Sequence, residues 1–302
     1  QAHPNKEQAK EGFNRENDQG IPLDASERNY RDDNHKPEII CALTEFWVLN
    51  GFRSIGEILA LLERIEISTL AEPIASLRGC PDQEGLRRFF HHLVTLKRET
   101  QRQAVNEALR STELHEDLRS LRDWMIRLDE EYPGDIGVLS VVLLNLIKLE
   151  AGQAMYLPAG ELHAYLEGVG IELMANSDNV LRGGLTPKYI DVQELLNVLN
   201  FTDGAVEILT PEETSSGEAS YVTDTREFLL SVITVTEAGQ FTSGRERSAE
   251  IMICTAGEAT IAERGSTKIT RLAKGTSIIV PAAVEQYWIK GNATLYKATV
   301  PL

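Results

Sequence analysis

The sequence predicts a mainly β protein with an α-helical insert, in which two β-barrel or sandwich units share one design. Three observations lead there. Apolar residues recur at helical spacing between Ser54 and Tyr132, and short branched apolar runs separated by Gly-containing turns fill most of the chain beyond Gly137. One turn pattern also occurs twice at a constant offset, Leu149-x-x-Gly152-x5-Pro158-Ala159 and Leu272-x-x-Gly275-x5-Pro281-Ala282, as expected for two copies of one β unit.

Residues 1–37 are polar and rich in Asn and Asp (Asn29, Asp32, Asp33, Asn34), so they read as loop with at most short elements. A loop of that length in a compact protein usually has a function. Ser54 followed by Glu57 is a capping-box pattern, and Ile55, Ile58, Leu59, Leu62 and Ile65 then share one helical face. Leu86, Phe89, Phe90, Leu93 and Leu96 repeat the spacing. So do Leu114, Leu118, Leu121, Met125 and Leu128, before Tyr132-Pro133-Gly134 closes the run. The pattern predicts a unit of about three or four helices. His91 and His92 are neighbours on one of them and diverge by about 100°, so they read as surface residues rather than a chelating pair. From Val138 to Leu149 the chain is branched and apolar and reads as β, as do residues 228–235, 250–254, 259–262 and 276–280.

The chain has 302 residues, with 30 Lys and Arg against 46 Asp and Glu, a formal charge of −16. Such a field repels polyanions and argues against nucleic acid or an acidic membrane surface as partners. A small anionic ligand would need a local cluster of cations. The most apolar stretch, Val138 to Ile147, is interrupted by Asn145 and followed by Lys148, well short of the roughly 20 apolar residues of a membrane span. Cys41, Cys80 and Cys254 are scattered without C-x-x-C spacing, which suits reduced thiols in a cytoplasmic protein. The chain opens on Gln1 with no Met or leader pattern, so processing, or loss of a segment upstream, is expected.

Candidate site residues are dispersed. Gly152-x5-Pro158-x-Gly160-x2-His163 resembles a motif of the cupin superfamily, in which a glycine turn and a Pro-limited strand end aim a histidine into the mouth of a jelly roll. At the repeat offset His163 falls on Gln286, so the second copy is expected to keep the turn and lack the imidazole. In Gln1-Ala2-His3-Pro4 the first and third side chains point to the same side of an extended segment. Glu38, after Asn34-His35-Lys36-Pro37, opens an apolar run and by itself could be a strand-edge carboxylate.

Taken with Asn29-Tyr30, His163-Ala164-Tyr165 and the run from Asn176-Ser177-Asp178-Asn179 through Arg182-x-Gly184-Leu185-Thr186-Pro187-Lys188, these segments resemble the type I mannose-6-phosphate isomerases, the bacterial branch closely. The resemblance spans essentially the whole chain and is weakest in the helical unit and after residue 200. It implies two cupin-like jelly-roll barrels plus a helical domain. Residues 1–53 and 135–204 would form the metal-binding cupin domain, 54–134 the helical domain, and 205–302 a C-terminal cupin-like domain without metal ligands. It also implies one Zn²⁺ per chain, held by Gln1, His3, Glu38 and His163. Two imidazoles, a carboxylate and an amide oxygen suit zinc chemically, with iron as the competing metal.

The resemblance makes Arg182 the catalytic arginine, and a fixed guanidinium fork can steady an enediolate or grip a phosphate. Lys36 and Lys188 lie in matched motifs and are expected to contact the anionic substrate. Glu172 and Asp178 match positions near the pocket, as proton-transfer groups or as partners orienting Arg182 or Lys188. Tyr165 shares the face of His163 on an extended strand and is expected to line the pocket.

The implied activity is interconversion of mannose 6-phosphate and fructose 6-phosphate through an enediol(ate), in the cytoplasm, by a monomer whose partner is a small sugar phosphate. Type I enzymes carry a further N-terminal β segment before the Gln-x-His motif. The rival expectation is therefore a truncated, metal-poor cupin that binds sugar phosphate without catalysis, because ligands on a free end fray.

Overall fold

Capping chemistry sets the first element. The Gln8 amide donates to the Asn5 side chain and the Asn5 amide donates to the Gln8 side chain, starting a 13-residue helix, α1 (Lys6–Asp18), where the sequence reading expects loop. The computed structural model describes residues 1–302. In α1 the buried positions are Ala9, Gly12 and Glu16 instead of a stripe of large apolar residues, so hydrophobic periodicity does not reveal it. Glu16 accepts from the amides of Asn29 and Tyr30 and pairs with Arg28. Gly12 lies against the Tyr30 ring so closely that a Cβ would come within 2.3 Å of it. These contacts tie the 28–37 segment to the helix.

Strands β1 (Glu38–Ala42) and β2 (Phe46–Phe52) come next, and then the insert: α2 (Ile55–Ile65), α3 (Ala71–Gly79), α4 (Gln83–Thr95), α5 (Arg98–Thr112) and α6 (Arg119–Glu131). The insert has five α-helices rather than three or four. Short α3 buries only Ile74 and Leu77, and α5 buries mainly Ala104, Val105 and Ala108, so neither carries a strong apolar stripe.

The run expected to be β from Val138 begins helical. The Gly137 amide donates to the Asp135 carboxylate at 2.7 Å, a 3-10 turn covers Ile136–Leu139, and α7 (Ser140–Leu143) continues it before β3 (Leu144–Leu149). The apolar side chains of these turns are all buried, and a short apolar run does not separate buried helix from buried strand.

The chain then forms β4 (Ala154–Leu157), β5 (His163–Glu167), β6 (Gly170–Met174) and α8 (Val192–Val198). Two three-stranded antiparallel sheets, ordered β4-β1-β6 and β3-β2-β5, face each other around Ile40, Val48, Leu149, Met155 and Leu157. One apolar core of 36 buried residues runs from the insert through Leu49, Phe52, Leu162, Leu181 and Leu195, so the insert packs continuously against this barrel.

The C-terminal unit contains β7 (Glu212–Ser215), β8 (Glu218–Tyr221), β9 (Leu229–Val235), β10 (Gln240–Thr242), β11 (Glu250–Glu263), β12 (Thr270–Ala273), β13 (Ser277–Val280) and β14 (Tyr287–Thr299). They form one eight-stranded sheet ordered β12-β11-β14-β9-β8-β7, with β10 on β14 and β13 on β11. The runs at 250–254 and 259–262 are halves of the single strand β11, bent at a bulge between Cys254 and Ala256. Gly257 lies just beyond the bulge at φ +70°, where a Cβ would lie 2.0 Å from the Asn292 carbonyl oxygen.

The repeated turn is the same structure twice. Gly152 and Gly275 both have φ +87°; the Gly152 amide donates to Ala42 and the Gly275 amide to Cys254. Leu157 stands opposite Glu38 as Val280 stands opposite Glu250. The fold is therefore two cupin-like β-barrels with a helical insert. No helix is long and apolar enough to cross a membrane.

Candidate metal centre and substrate pocket

Strand pairing brings the dispersed side chains together. Ala2 bridges Leu181, the His163 amide donates to the Gln1 carbonyl at 2.9 Å, and the Gly160 amide donates to the His3 carbonyl. Residues 1–3 are thus held along their length, with Ala2 and His3 buried. Glu38 opens β1 from the facing sheet and is also buried.

Each imidazole is oriented by a backbone carbonyl. His3 Nδ1 lies 2.7 Å from the Asn179 oxygen, and His163 Nδ1 lies 2.9 Å from the Glu161 oxygen. A carbonyl only accepts, so Nδ1 carries a proton in both rings and Nε2 is the inward-facing ligand atom. Burial pushes His163 down, which keeps it in the neutral form that ligates. Asn179 is itself fully buried; it accepts from the amides of Arg31 and Asp32 and donates to the carbonyls of Asp32 and Asn34.

Nε2 of His3 is 3.3 Å from Glu38 Oε1, and Nε2 of His163 is 3.4 Å from Glu38 Oε2. One ligand atom from each of the three residues lies within 4.8 Å of the others. His3 Nε2 and Glu38 Oε2 are buried without a hydrogen-bond partner, and a divalent cation between the rings and the carboxylate would satisfy both. The residues present fit a divalent metal. The Gln1 amide is 3.2 Å from His163 Nε2, and rotation about its terminal bond turns its oxygen toward the same point.

Beside this cluster lies a cavity of about 350 Å³. Gln1, His163, Tyr165, Arg182 and Thr186 give it polar walls, and Phe90, Leu93 and Ile136 of the insert side close it. Arg182 has no carboxylate partner there. Lys36 Nζ lies 3.1 Å from Glu38 Oε1, at the metal cluster. Glu172 on β6 pairs with Ile40 of β1; desolvation, and then the nearby Glu38 charge, raise its carboxyl although it keeps a solvent-open side. The Tyr165 hydroxyl is buried without a partner, and its phenol is raised by desolvation and by Glu172.

Two expected residues stand apart. Asp178 is exposed, with its amide donating to Asp32, and Lys188 is exposed and lines neither the cavity nor the cluster. Sequence reasoning passes over Asn179 and Glu161, which orient the imidazoles, and the apolar wall from α4. The apolar stripe of α4 announces a buried face without saying that part of it borders a ligand space.

The second barrel answers the same position differently. Glu263 pairs with Tyr287 as Asn50 pairs with His163, and the Arg264 amide donates to Gln286 as the Gly51 amide donates to Leu162. Tyr287, not Gln286, therefore stands where His163 does, because the turn after Pro281 is one residue longer than its counterpart. Glu250 replaces Glu38, but the buried Arg247 guanidinium lies 3.3 Å from its Oε2 and 5.4 Å over the Tyr287 ring, while Lys297 lies 3.3 Å from its Oε1. The protein's own cations supply the countercharge. Arg247→Met is expected to lower unfolding stability in urea by about 3–5 kcal/mol, the cost of breaking a buried pair, with metal content of the folded protein unchanged. A loss under about 1 kcal/mol would show that Glu250 does not depend on it.

A barrel of two facing sheets that turns two imidazoles and a carboxylate toward one point defines a cupin with a metal-ligand cluster. Residues 1–55 match the family model of the catalytic domain of type I phosphomannose isomerase, residues 61–144 its helical insertion domain, and residues 217–300 the cupin domain of mannose-6-phosphate isomerase. The chain is 40% identical over 298 residues to mannose-6-phosphate isomerase of Escherichia coli (strain K12), covering 98% of this chain and 74% of that protein. Among solved structures, a glutamate-to-alanine mutant of phosphomannose isomerase from Salmonella typhimurium superposes with a TM-score of 0.91 at 36% identity, covering 100% of this chain and 75% of that one. A zinc-bound mannose 6-phosphate isomerase gives 0.89 at 35% identity with the same coverage. The chain belongs to the type I mannose-6-phosphate isomerase family.

Proposed function

We propose that the protein interconverts mannose 6-phosphate and fructose 6-phosphate by moving a proton between C1 and C2 through an enediol(ate), with one zinc ion held by Gln1, His3, Glu38 and His163. The observation that carries this is the convergence of two oriented Nε2 atoms on the buried Glu38 carboxylate beside a cavity that contains Arg182. When bound, zinc supplies Lewis acidity toward substrate oxygens. Arg182, an always-charged fork with no carboxylate to occupy it, stabilises the negative charge that develops on the substrate oxygen.

Glu172 and Asp178 are the carboxylates proposed for proton transfer or for orienting the cations. The raised Glu172 carboxyl beside Tyr165 supports it for the transfer, since a base titrating nearer neutrality moves protons more efficiently. Lys36 and Lys188 are proposed to draw in the anionic substrate, with Tyr165 lining the pocket. The apolar wall from the insert excludes water from the reacting carbons. In this reading the protein is a monomer acting in cytoplasmic carbohydrate metabolism that leads to GDP-mannose, and its −16 charge supports the absence of nucleic-acid and membrane partners.

A coupled isomerase assay with metal analysis tests the proposal. Turnover is expected to depend on about one zinc per chain, to vanish after a chelator, and to return with added zinc, with a lower thermal midpoint for the stripped protein. Folded, zinc-loaded protein with no turnover would sink the isomerase reading, and iron as the bound metal with oxygen consumption would replace it.

A further inference from the structure

Helix α5 begins near the substrate cavity, and its first turns carry two arginines without partners. Arg98 and Arg102 are four residues apart and share a helix face. Neither guanidinium pairs with a carboxylate or donates a hydrogen bond. Both line a second, polar cavity of about 210 Å³ together with Gln101, Tyr132 and Thr186. Thr186 also lines the cavity that holds Arg182 and His163, so the two spaces adjoin at that residue.

Neither carboxylate that lines this cavity pairs with these guanidinium groups. Asp135 borders the second cavity, but its Oδ1 already accepts from the amides of Gly137 and Leu185 at 2.7 and 3.2 Å. Glu131 lies on the rim, exposed and unpaired with either arginine. The stem of Arg102 packs against Gly134, where an added Cβ would fall 3.1 Å from Arg102 Cβ and Cγ, and where φ +70° favours glycine. That contact holds the stem in place. Like charges at i and i+4 repel, and an anion between them removes the penalty. Two guanidinium forks suit a tetrahedral phosphate, each able to give paired N–H donors.

We propose that Arg98 and Arg102 form an anion subsite on the helical insert that takes the phosphate of a sugar phosphate whose reacting end lies at Arg182 and the metal centre. This rests on the sugar-phosphate reading above and assigns the insert a part in substrate recognition. The double variant Arg98→Gln/Arg102→Gln is compared with wild type and with Arg110→Gln, a control at the far end of the same helix. Calorimetric titration of wild type and variants with inorganic phosphate reads the share of anion binding that these two arginines supply, and steady-state kinetics with mannose 6-phosphate read its use.

Loss of hydrogen bonds to a charged group is expected to raise KM about 10- to 100-fold and weaken phosphate binding by a similar factor, with kcat within about threefold and the control unchanged. Arg98→Lys/Arg102→Lys recovers part of the binding at low salt. Unchanged KM and unchanged phosphate binding in the double variant overturn the subsite while leaving the isomerase reading intact. So does a loss confined to kcat, which would mark a role in positioning. Phosphate binding that depends on both arginines in a protein with no isomerase activity upholds the subsite and sinks the isomerase reading instead. Wild-type protein that neither binds phosphate nor turns over sinks both.

Discussion

Replacing His163 with alanine is expected to leave a folded protein that no longer retains zinc and whose kcat/KM falls by more than about 100-fold, beyond the 10- to 100-fold typical of losing an outer partner of a metal site. The side chain enters the cluster on a ring fixed by the Glu161 carbonyl, and its Nε2 faces Glu38 at 3.4 Å. Its removal leaves His3 and Glu38 as the remaining buried members of the three-residue cluster. The loss of ring volume next to Tyr165, whose ring centre is 5.9 Å away, opens a gap that water can fill at a polar site. The fold should therefore survive better than after truncation of an apolar core residue. Metal analysis of the purified variant decides the matter: retention of stoichiometric zinc would show that His163 does not ligate, and the metal site would have to be redrawn around Gln1, His3 and Glu38.

Arg182→Ala is expected to keep its zinc and lose about 10²- to 10³-fold in kcat, the usual cost of removing one group aimed at a developing oxyanion. The residue lies in the cavity wall without a carboxylate to neutralise it, and desolvation lowers its guanidinium without threatening its charge. Arg182→Lys should not restore the rate, because an ammonium cannot reproduce the planar fork. A variant whose KM rises while kcat holds would place Arg182 on the ground-state substrate instead, on its phosphate rather than its reacting oxygens. Paired with His163→Ala, the experiment separates two dependencies: one variant loses metal and rate together, the other loses rate alone.

Much of the architecture is legible in the sequence alone. The helical stripe from Ile55, the Gly-punctuated strands after Leu144 and the doubled turn at Gly152 and Gly275 each express a local rule, either a repeat of side-chain direction or a backbone angle that glycine adopts readily. Apolar spacing alone misses two helical segments that local caps begin. Helix α1 is built on a capping box and on polar contacts of Glu16, and the run from Val138 is helical because the Asp135 cap turns it before β3 begins. The bend in β11 joins what read as two strands.

What the sequence by itself determined is the inventory: a duplicated β unit, a helical insert and a sparse set of amides, imidazoles, carboxylates and cations spread over 188 positions. Only the tertiary structure decided which of them meet. It placed His3, Glu38 and His163 around one point, put Lys36 on the Glu38 carboxylate, left Asp178 and Lys188 exposed, and set Tyr287 and Arg247 where the first barrel gathers its metal ligands. The reason is physical. Periodicity and turn chemistry act over a few residues, whereas ligand geometry is set by strand register between segments more than 100 residues apart, and a register shift of one residue turns a side chain to the opposite face.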